Sequence, residues 1–113
     1  MRNLGLFTLL LPLELIQAHA ILLDATPQAN SIIEKRETIV RLKFNCRIDA
    51  KRSKIIVYFP DGASRVLPLA SSAETDSLAS TVKGLTPGAY KIRWQVLASD
   101  GHMTEGVVPF RVH

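Results

Sequence analysis

The chain has 113 residues, of which 47% are hydrophobic and 21% are charged. These are the proportions of a globular protein, so they argue against wholesale disorder, collagen and a coiled coil, and the length allows one domain at most. The formal charge of +4 is modest and no basic run is longer than Lys51-Arg52, which makes nucleic acid a poor candidate partner. The single cysteine, Cys46, excludes an intramolecular disulfide and a zinc site built from several thiolates.

The beginning of the chain differs from the remainder. A basic residue precedes an apolar stretch, Leu4–Ile16, and small residues follow it. This order is typical of a secretory signal peptide, and the stretch is shorter than the about 20 apolar residues of a membrane-spanning helix. We therefore predict a signal peptide at residues 1–18 and a secreted domain at residues 19–113. Cleavage after Ala20 is the alternative, because Ala18-His19-Ala20 has the A-x-A pattern.

Short alternating segments dominate residues 19–113, and no 3.6-residue apolar period persists over a helix length. In Thr38–Cys46 every second residue from Val40 onward is apolar, which predicts a strand with one buried face and places the Cys46 thiol in the core. The clearest strand is Ala89–Ala98, whose apolar face includes Tyr90 and Trp94. Further strands are predicted at residues 54–59, 65–69, 78–82 and 107–112.

Turn signals separate these strands at intervals typical of a β-sandwich. Thr86-Pro87-Gly88 precedes the clearest strand, and a tyrosine near the start of such a strand is a feature of immunoglobulin-like sandwiches. Pro109 indicates that the last strand is an edge strand or contains a bulge. The predicted fold class is all-β, an immunoglobulin-like β-sandwich of about seven strands.

The candidate site residues are His19 and the segment Asp100-Gly101-His102. A histidine at a processed N-terminus offers its amine and its ring to one metal ion, and residues 100 and 102 add a carboxylate and a second imidazole. Three nitrogens and one oxygen favour Cu(II) over zinc or calcium. Without a metal, Asp-Gly is a common turn and His19 is only a terminal residue. His113 is assigned no function.

Several segments resemble a known family: Ala18-His19-Ala20-Ile21-Leu22, Thr26-Pro27-x-Ala29-Asn30-Ser31, Val40-Arg41-Leu42-Lys43-Phe44, Gly88-x-Tyr90-x-Ile92-x-Trp94-Gln95-Val96-x-Ala98-x-Asp100-Gly101-His102, and Gly106-x-x-x-Phe110-x-Val112. In combination they are similar to the CopC family of periplasmic copper-binding proteins. The resemblance implies a Greek-key β-sandwich that binds Cu(II) through the amine and ring of His19, Asp100 and His102. It also favours cleavage after Ala18.

The resemblance further implies a role in copper homeostasis or resistance, with capture of the metal rather than catalysis. The implied partner is a CopD-like copper transporter of the inner membrane.

Two departures from the family pattern concern sulfur. Met103 is the single methionine of residues 19–113, so a methionine-rich Cu(I) site is not expected, although its thioether could approach His102. Cys46 stands where many members carry an acidic residue, and a thiolate near the metal is the alternative to a core thiol.

Two other classes of function remain open at this point. An N-terminal histidine with a second histidine is also the copper brace of polysaccharide-cleaving monooxygenases, which would make the chain an oxidative enzyme. Against it, the domain is short and has no evident flat aromatic face for a polymer. The other class is a metal-free immunoglobulin-like interaction module, in which the histidines are incidental.

Overall fold

The computed structural model describes residues 19–113, so the predicted signal peptide lies outside the described residues. None of the described residues belongs to a helix that is long and apolar enough to span a membrane. Eight strands follow one another in this part of the chain: β1 (Leu22–Thr26), β2 (Ser31–Ile33), β3 (Glu37–Phe44), β4 (Ile48–Tyr58), β5 (Ser64–Val66), β6 (Ser77–Lys83), β7 (Gly88–Ala98) and β8 (Met103–Val112).

The strands form two sheets, which confirms the all-β, immunoglobulin-like sandwich. One sheet has three strands in the order β1-β3-β6, and the other has five in the order β2-β8-β7-β4-β5. Neighbouring strands are antiparallel except β2 and β8, which are parallel. Because β7 and β8 are joined by a short turn, the residues of that turn lie at one end of the five-stranded sheet.

The core lies between the sheets and consists of the alternating inward side chains of both. From the smaller sheet, Val40, Leu42 and Phe44 are buried, and from β7 the residues Tyr90 and Trp94 are buried. The alternation predicted for β3 and β7 is therefore the alternation of the structure. Burial of such apolar area supplies the main favourable term in folding, about 25 cal/mol per Å².

Two local features explain particular residue types. The Tyr90 hydroxyl accepts the Thr86 N–H at 2.9 Å and donates to the Thr86 carbonyl at 3.0 Å, which is the tyrosine corner expected at the start of this strand. Trp94 lies opposite Gly106 on β8. A Cβ atom at Gly106 would come within 2.4 Å of the Trp94 ring, so only glycine leaves room for the indole.

Pro109 lies where one neighbour of β8 begins. β2 pairs with residues 110–112 of β8, and the Asn30 N–H donates to the Pro109 carbonyl at 2.7 Å. The part of β8 before Phe110 has β7 on one side only, among the strands described. The expectation of an edge strand therefore holds for that part of β8, although its last residues have a strand on both sides.

Several predicted strands differ from the structure in extent, and the strand predicted at residues 65–69 is the shorter β5, Ser64–Val66. β3 ends at Phe44 and the chain bends at Asn45, so the alternation stops before Cys46, which is half-buried against the core rather than inside it. β4 begins at Ile48, six residues before the predicted strand at residues 54–59. A register shift between Asp49 and Lys54 interrupts the alternation of its first half, which is why the period-two pattern did not reveal that half. β8 begins at Met103 and pairs with β7 along its whole length.

Candidate metal centre

The turn between β7 and β8 brings Asp100 and His102 together. The Gly101 N–H donates to the Ala98 carbonyl and the Ala98 N–H donates to the His102 carbonyl, each at 3.0 Å. Gly101 has φ +86°, a conformation that glycine adopts without steric cost. Gly101 therefore allows the tight turn that places the side chains of Asp100 and His102 next to each other.

Asp100 holds His102 with both of its oxygens. Its Oδ1 accepts the His102 backbone N–H at 3.0 Å, and its Oδ2 lies 3.0 Å from Nδ1 of the His102 ring. The backbone hydrogen bond, with the ring contact second, holds the pKa of Asp100 below its usual range, so the carboxylate is ionised at neutral pH. An ionised carboxylate only accepts hydrogen bonds, so this contact is a hydrogen bond when Nδ1 of His102 carries the proton. In that neutral tautomer the lone pair for a metal ion is on Nε2.

His19 meets this pair from the other end of the described chain. Its Nδ1 lies 3.2 Å from Oδ2 of Asp100, and its ring is edge-on to the His102 ring with centroids 4.7 Å apart. Despite the short distance, the approach lacks hydrogen-bond geometry, so Nδ1 of His19 is a shielded nitrogen that has no hydrogen-bond partner among residues 19–113. A metal ion would satisfy such a nitrogen.

The three residues form a compact and accessible group of donors. One ligand atom from each of His19, Asp100 and His102 lies within 4.8 Å of the others. The side chain of Asp100 is 18% exposed, that of His19 43% and that of His102 60%, so the group lies at the surface of the domain although Nδ1 of His19 is itself shielded. Two imidazole nitrogens and a carboxylate oxygen are donors suited to copper or zinc rather than to magnesium or calcium.

The cysteine and the third histidine lie outside this group. Cys46 is half-buried and is not one of the residues whose ligand atoms gather there. The backbone N–H of His113 donates to the Ile33 carbonyl at the end of β8, and its side chain is exposed. Met103 is 55% exposed and lies opposite Leu97 on β7. Among the histidine, cysteine and acidic side chains of the described residues, those brought together are thus His19, Asp100 and His102.

Two residues that the sequence analysis did not select contact the segment that follows His19. Asn45 exchanges two hydrogen bonds with Ile21, and the Thr104 hydroxyl lies 3.4 Å from the Ala20 carbonyl. An asparagine immediately after a strand is a signal for side-chain to backbone hydrogen bonding. That signal could have selected Asn45, although it does not name the partner.

A groove of about 640 Å³ lies at the opposite end of the five-stranded sheet. Its walls include Tyr58, Lys91 and Phe110, near the start of β7 and the end of β8. The three candidate ligands do not line it, and a single metal ion needs converging donor atoms rather than a cavity of this size. The groove is therefore separate from the candidate metal centre.

These features define a β-sandwich with a candidate metal centre at one end. The family model of the CopC domain matches residues 22–113, and the chain belongs to the CopC family. This family comprises copper resistance and transport proteins, includes periplasmic members, and consists of copper-binding proteins rather than enzymes. The expectations of copper as the metal and of a binding protein rather than an enzyme agree with this family.

Particular relatives agree with this assignment. CopC from Methylosinus trichosporium OB3b has a similar structure, with TM-score 0.74, 28% identity, and coverage of 83% of this chain and 93% of that one. The fold also matches PcoC, a methionine-rich copper resistance protein from Escherichia coli, with TM-score 0.68, 23% identity, and coverage of 85% and 100%. The copper transport protein CutJ of Bacillus subtilis (strain 168) is 28% identical over 99 residues, 84% of this chain. The match spans only 18% of CutJ.

Proposed function

We propose that this chain is a periplasmic Cu(II)-binding protein of copper homeostasis or resistance. It captures the ion with the amine and Nδ1 of His19, together with Asp100 and His102, and passes it to or from a CopD-like transporter of the inner membrane. The observation that carries the proposal is that His19 lies beside the Asp100–His102 pair, with ligand atoms within 4.8 Å of one another, although about 80 residues separate them along the chain. Membership of a copper-binding family supports the choice of metal.

The brace requires that His19 be the first residue of the mature protein. Only then is the backbone nitrogen of His19 a free amine, which can chelate one ion together with Nδ1 of the same residue. Cleavage after Ala18 produces this terminus, whereas cleavage after Ala20 removes His19 altogether. Burial of Ala20, only 5% exposed, supports the first site, because the second would also remove a residue packed in the core.

Each ligand has a separate task in capture. The amine and Nδ1 of His19 form the chelate, Nε2 of His102 is free to bind, and Asp100 either binds the ion or orients His102 from behind. A carboxylate that fixes the ring of a metal-binding histidine raises the ligand's basicity. Since amine and imidazole bind only when deprotonated, acid releases the metal.

The transporter partner is proposed from the chain's relatives. CutJ is described as a copper transport protein, and its match to this chain covers 18% of its own length. A domain of this type therefore occurs within a longer protein that is described as a copper transport protein. Cu(II) transfer can be tested by mixing copper-loaded protein with vesicles that contain a CopD-like transporter and following copper entry. Entry no faster than that from free Cu(II) at the same activity would remove the partner from the proposal.

The decisive experiment compares two N-termini. The full chain is expressed and secreted, and mass spectrometry of the mature protein identifies its first residue. Cu(II) is then titrated and its binding is followed by electron paramagnetic resonance. A matched variant carries one extra residue before His19. We expect one equivalent of tightly bound Cu(II) with a nitrogen-rich tetragonal spectrum in the first protein, and a much weaker site in the second. A mature chain starting at Ile21, or equal binding by both proteins, would refute the brace.

A further inference from the structure

The position of His19 depends on two residues that belong to no strand. β1 begins only at Leu22, so the strand ladder does not hold the residues before it. His19 is connected to β1 through Ala20 and Ile21. The contacts of these two residues therefore decide where the His19 amine and ring lie.

Asn45 holds Ile21 at two points. The Ile21 N–H donates to Oδ1 of Asn45 at 2.7 Å, and the Asn45 N–H donates to the Ile21 carbonyl at 3.1 Å. The Ile21 side chain is 58% exposed, so packing of that side chain contributes little to holding the segment. The hydrogen bonds with Asn45, which follows β3, are thus the main attachment of residue 21 to the smaller sheet.

Ala20 is held from the other sheet. Its side chain is buried, and the Thr104 hydroxyl lies 3.4 Å from its carbonyl, at the weak limit of a hydrogen bond. Thr104 is in β8, two residues after His102. The segment that carries His19 consequently crosses the open end of the sandwich, with Asn45 on one side and the strand that follows His102 on the other.

We propose that Asn45 is a positioning residue for the metal centre, which acts by fixing Ile21 and so holding His19 against Asp100 and His102. The inference rests on the proposed function and extends it to a residue that donates no metal ligand. Without the side-chain oxygen, the Ile21 N–H turns to water and the segment gains freedom. Ordering it again then costs part of the copper-binding free energy.

The test uses the secreted protein and three variants. Asn45→Ala removes the acceptor, Asn45→Asp retains an oxygen at that position, and Ser80→Ala is the matched control. The Ser80 hydroxyl donates a hydrogen bond to the Pro68 carbonyl, and neither residue contacts the segment Ala20-Ile21 or the candidate ligands among the described hydrogen bonds. Loss of this hydrogen bond should therefore affect stability alone. Two quantities are measured: the Cu(II) affinity by competition, and, without metal, the nuclear Overhauser contact between the His19 and His102 rings.

We expect Asn45→Ala to weaken Cu(II) binding on the order of threefold to tenfold, the range for one hydrogen bond. The contact between the rings should fade in Asn45→Ala and persist in Asn45→Asp and Ser80→Ala. In a His19→Ala background, Asn45→Ala should cause no further loss of Cu(II) affinity, because its effect passes through His19. These three results together identify positioning rather than a general loss of stability.

The outcomes separate this inference from the proposed function. If the unaltered protein binds Cu(II) tightly but Asn45→Ala binds it equally well, or loses as much affinity in the His19→Ala background as alone, the positioning role is wrong and the copper site stands. If the unaltered protein has no tight site, the proposed function fails. A ring contact that survives in Asn45→Ala would then overturn the positioning role separately.

Discussion

Asp100 is the residue on which the geometry of the candidate centre depends. One of its oxygens accepts the His102 backbone N–H, and the other lies close to Nδ1 of both histidines. Its lowered pKa keeps it charged at neutral pH, where it can balance the charge of a bound cation. Asp100 therefore combines a structural task in the turn with an electrostatic task in the site.

Replacement of Asp100 separates these two tasks. We expect Asp100→Ala to weaken Cu(II) binding on the order of tenfold or more, the usual cost of losing a group that orients or binds a metal ligand. The Cu(II) affinity of Asp100→Asn should lie between those of Asp100→Ala and the unaltered protein, because an amide oxygen still accepts the His102 N–H but carries no charge. Competition titration at neutral pH measures both effects.

Asp61 provides a matched control for Asp100. Its Oδ1 accepts the Ala63 N–H at 2.9 Å in the turn between β4 and β5, so Asp61→Ala removes a similar hydrogen bond outside the candidate metal centre. Its Cu(II) affinity should stay that of the unaltered protein. An Asp100→Ala protein with unchanged affinity would contradict the role assigned to this carboxylate.

At the scale of elements, ion pairs tie the loop before β6 to the outer face of β3. Arg41 pairs with Glu74 at 2.7 Å and Lys43 pairs with Asp76 at 2.9 Å. The Phe44 N–H also donates to the Asp76 carbonyl. This polar loop is thus attached to the sheet at its charged end.

These pairs predict how stability depends on pH. The hydrogen bond from Arg41 lowers the pKa of Glu74, and that from Lys43 lowers the pKa of Asp76. Because both folded-state pKa values are lowered, the pairs stabilise the fold above the unfolded pKa values. That stabilisation is lost as the pH falls through the folded-state values. The side chains are substantially exposed, so solvent screening keeps the effect small.

A variant with Glu74→Gln and Asp76→Asn should show this dependence. We expect its thermal midpoint to lie slightly below that of the unaltered protein at pH 7 and to converge with it in acid, where the native carboxyls are protonated. Glu34→Gln is the control, since no ion pair of Glu34 occurs among the described contacts. A difference that stays constant from pH 7 into acid would rule out the ion pairs as its source.

Element boundaries illustrate where sequence patterns succeed and fail. β7 was predicted nearly to its ends because both alternation and turn residues mark it. β2, with three residues, has too few positions for a period to be recognised, and the irregular first half of β4 breaks its alternation. The burial of Cys46 was misjudged for a related reason. Alternation carries information only while the strand continues, and β3 ends two residues earlier.

At the scale of the whole molecule, the candidate centre exists only in the folded chain, since its ligands come from both ends of the domain. An ion that binds the native state alone raises stability by mass action, by about 2.7 kcal/mol at a free concentration one hundred times the Kd. We expect Cu(II) to raise the thermal midpoint of the protein. Removal of the ion with a chelator should restore the metal-free value.

The same measurement distinguishes the proposed site from adventitious binding. In His19→Ala the rise caused by Cu(II) should be much smaller, whereas in His113→Ala it should be unchanged, because His113 lies outside the group of donors. In acid the rise should vanish as the ligands take up protons. An undiminished rise in His19→Ala would indicate that the stabilising copper binds elsewhere.

By itself, the sequence determined the fold class, the main strands and the identity of the three candidate ligands. These depend on period-two patterning, turn residues and side-chain chemistry, all of which are local properties. Only the tertiary structure decided that His19 lies within reach of Asp100 and His102, and that Asn45 and Thr104 contact the segment between His19 and β1. Such contacts join residues far apart along the chain, and they depend on how the two sheets pack. That packing follows from burial of the whole core rather than from any single segment.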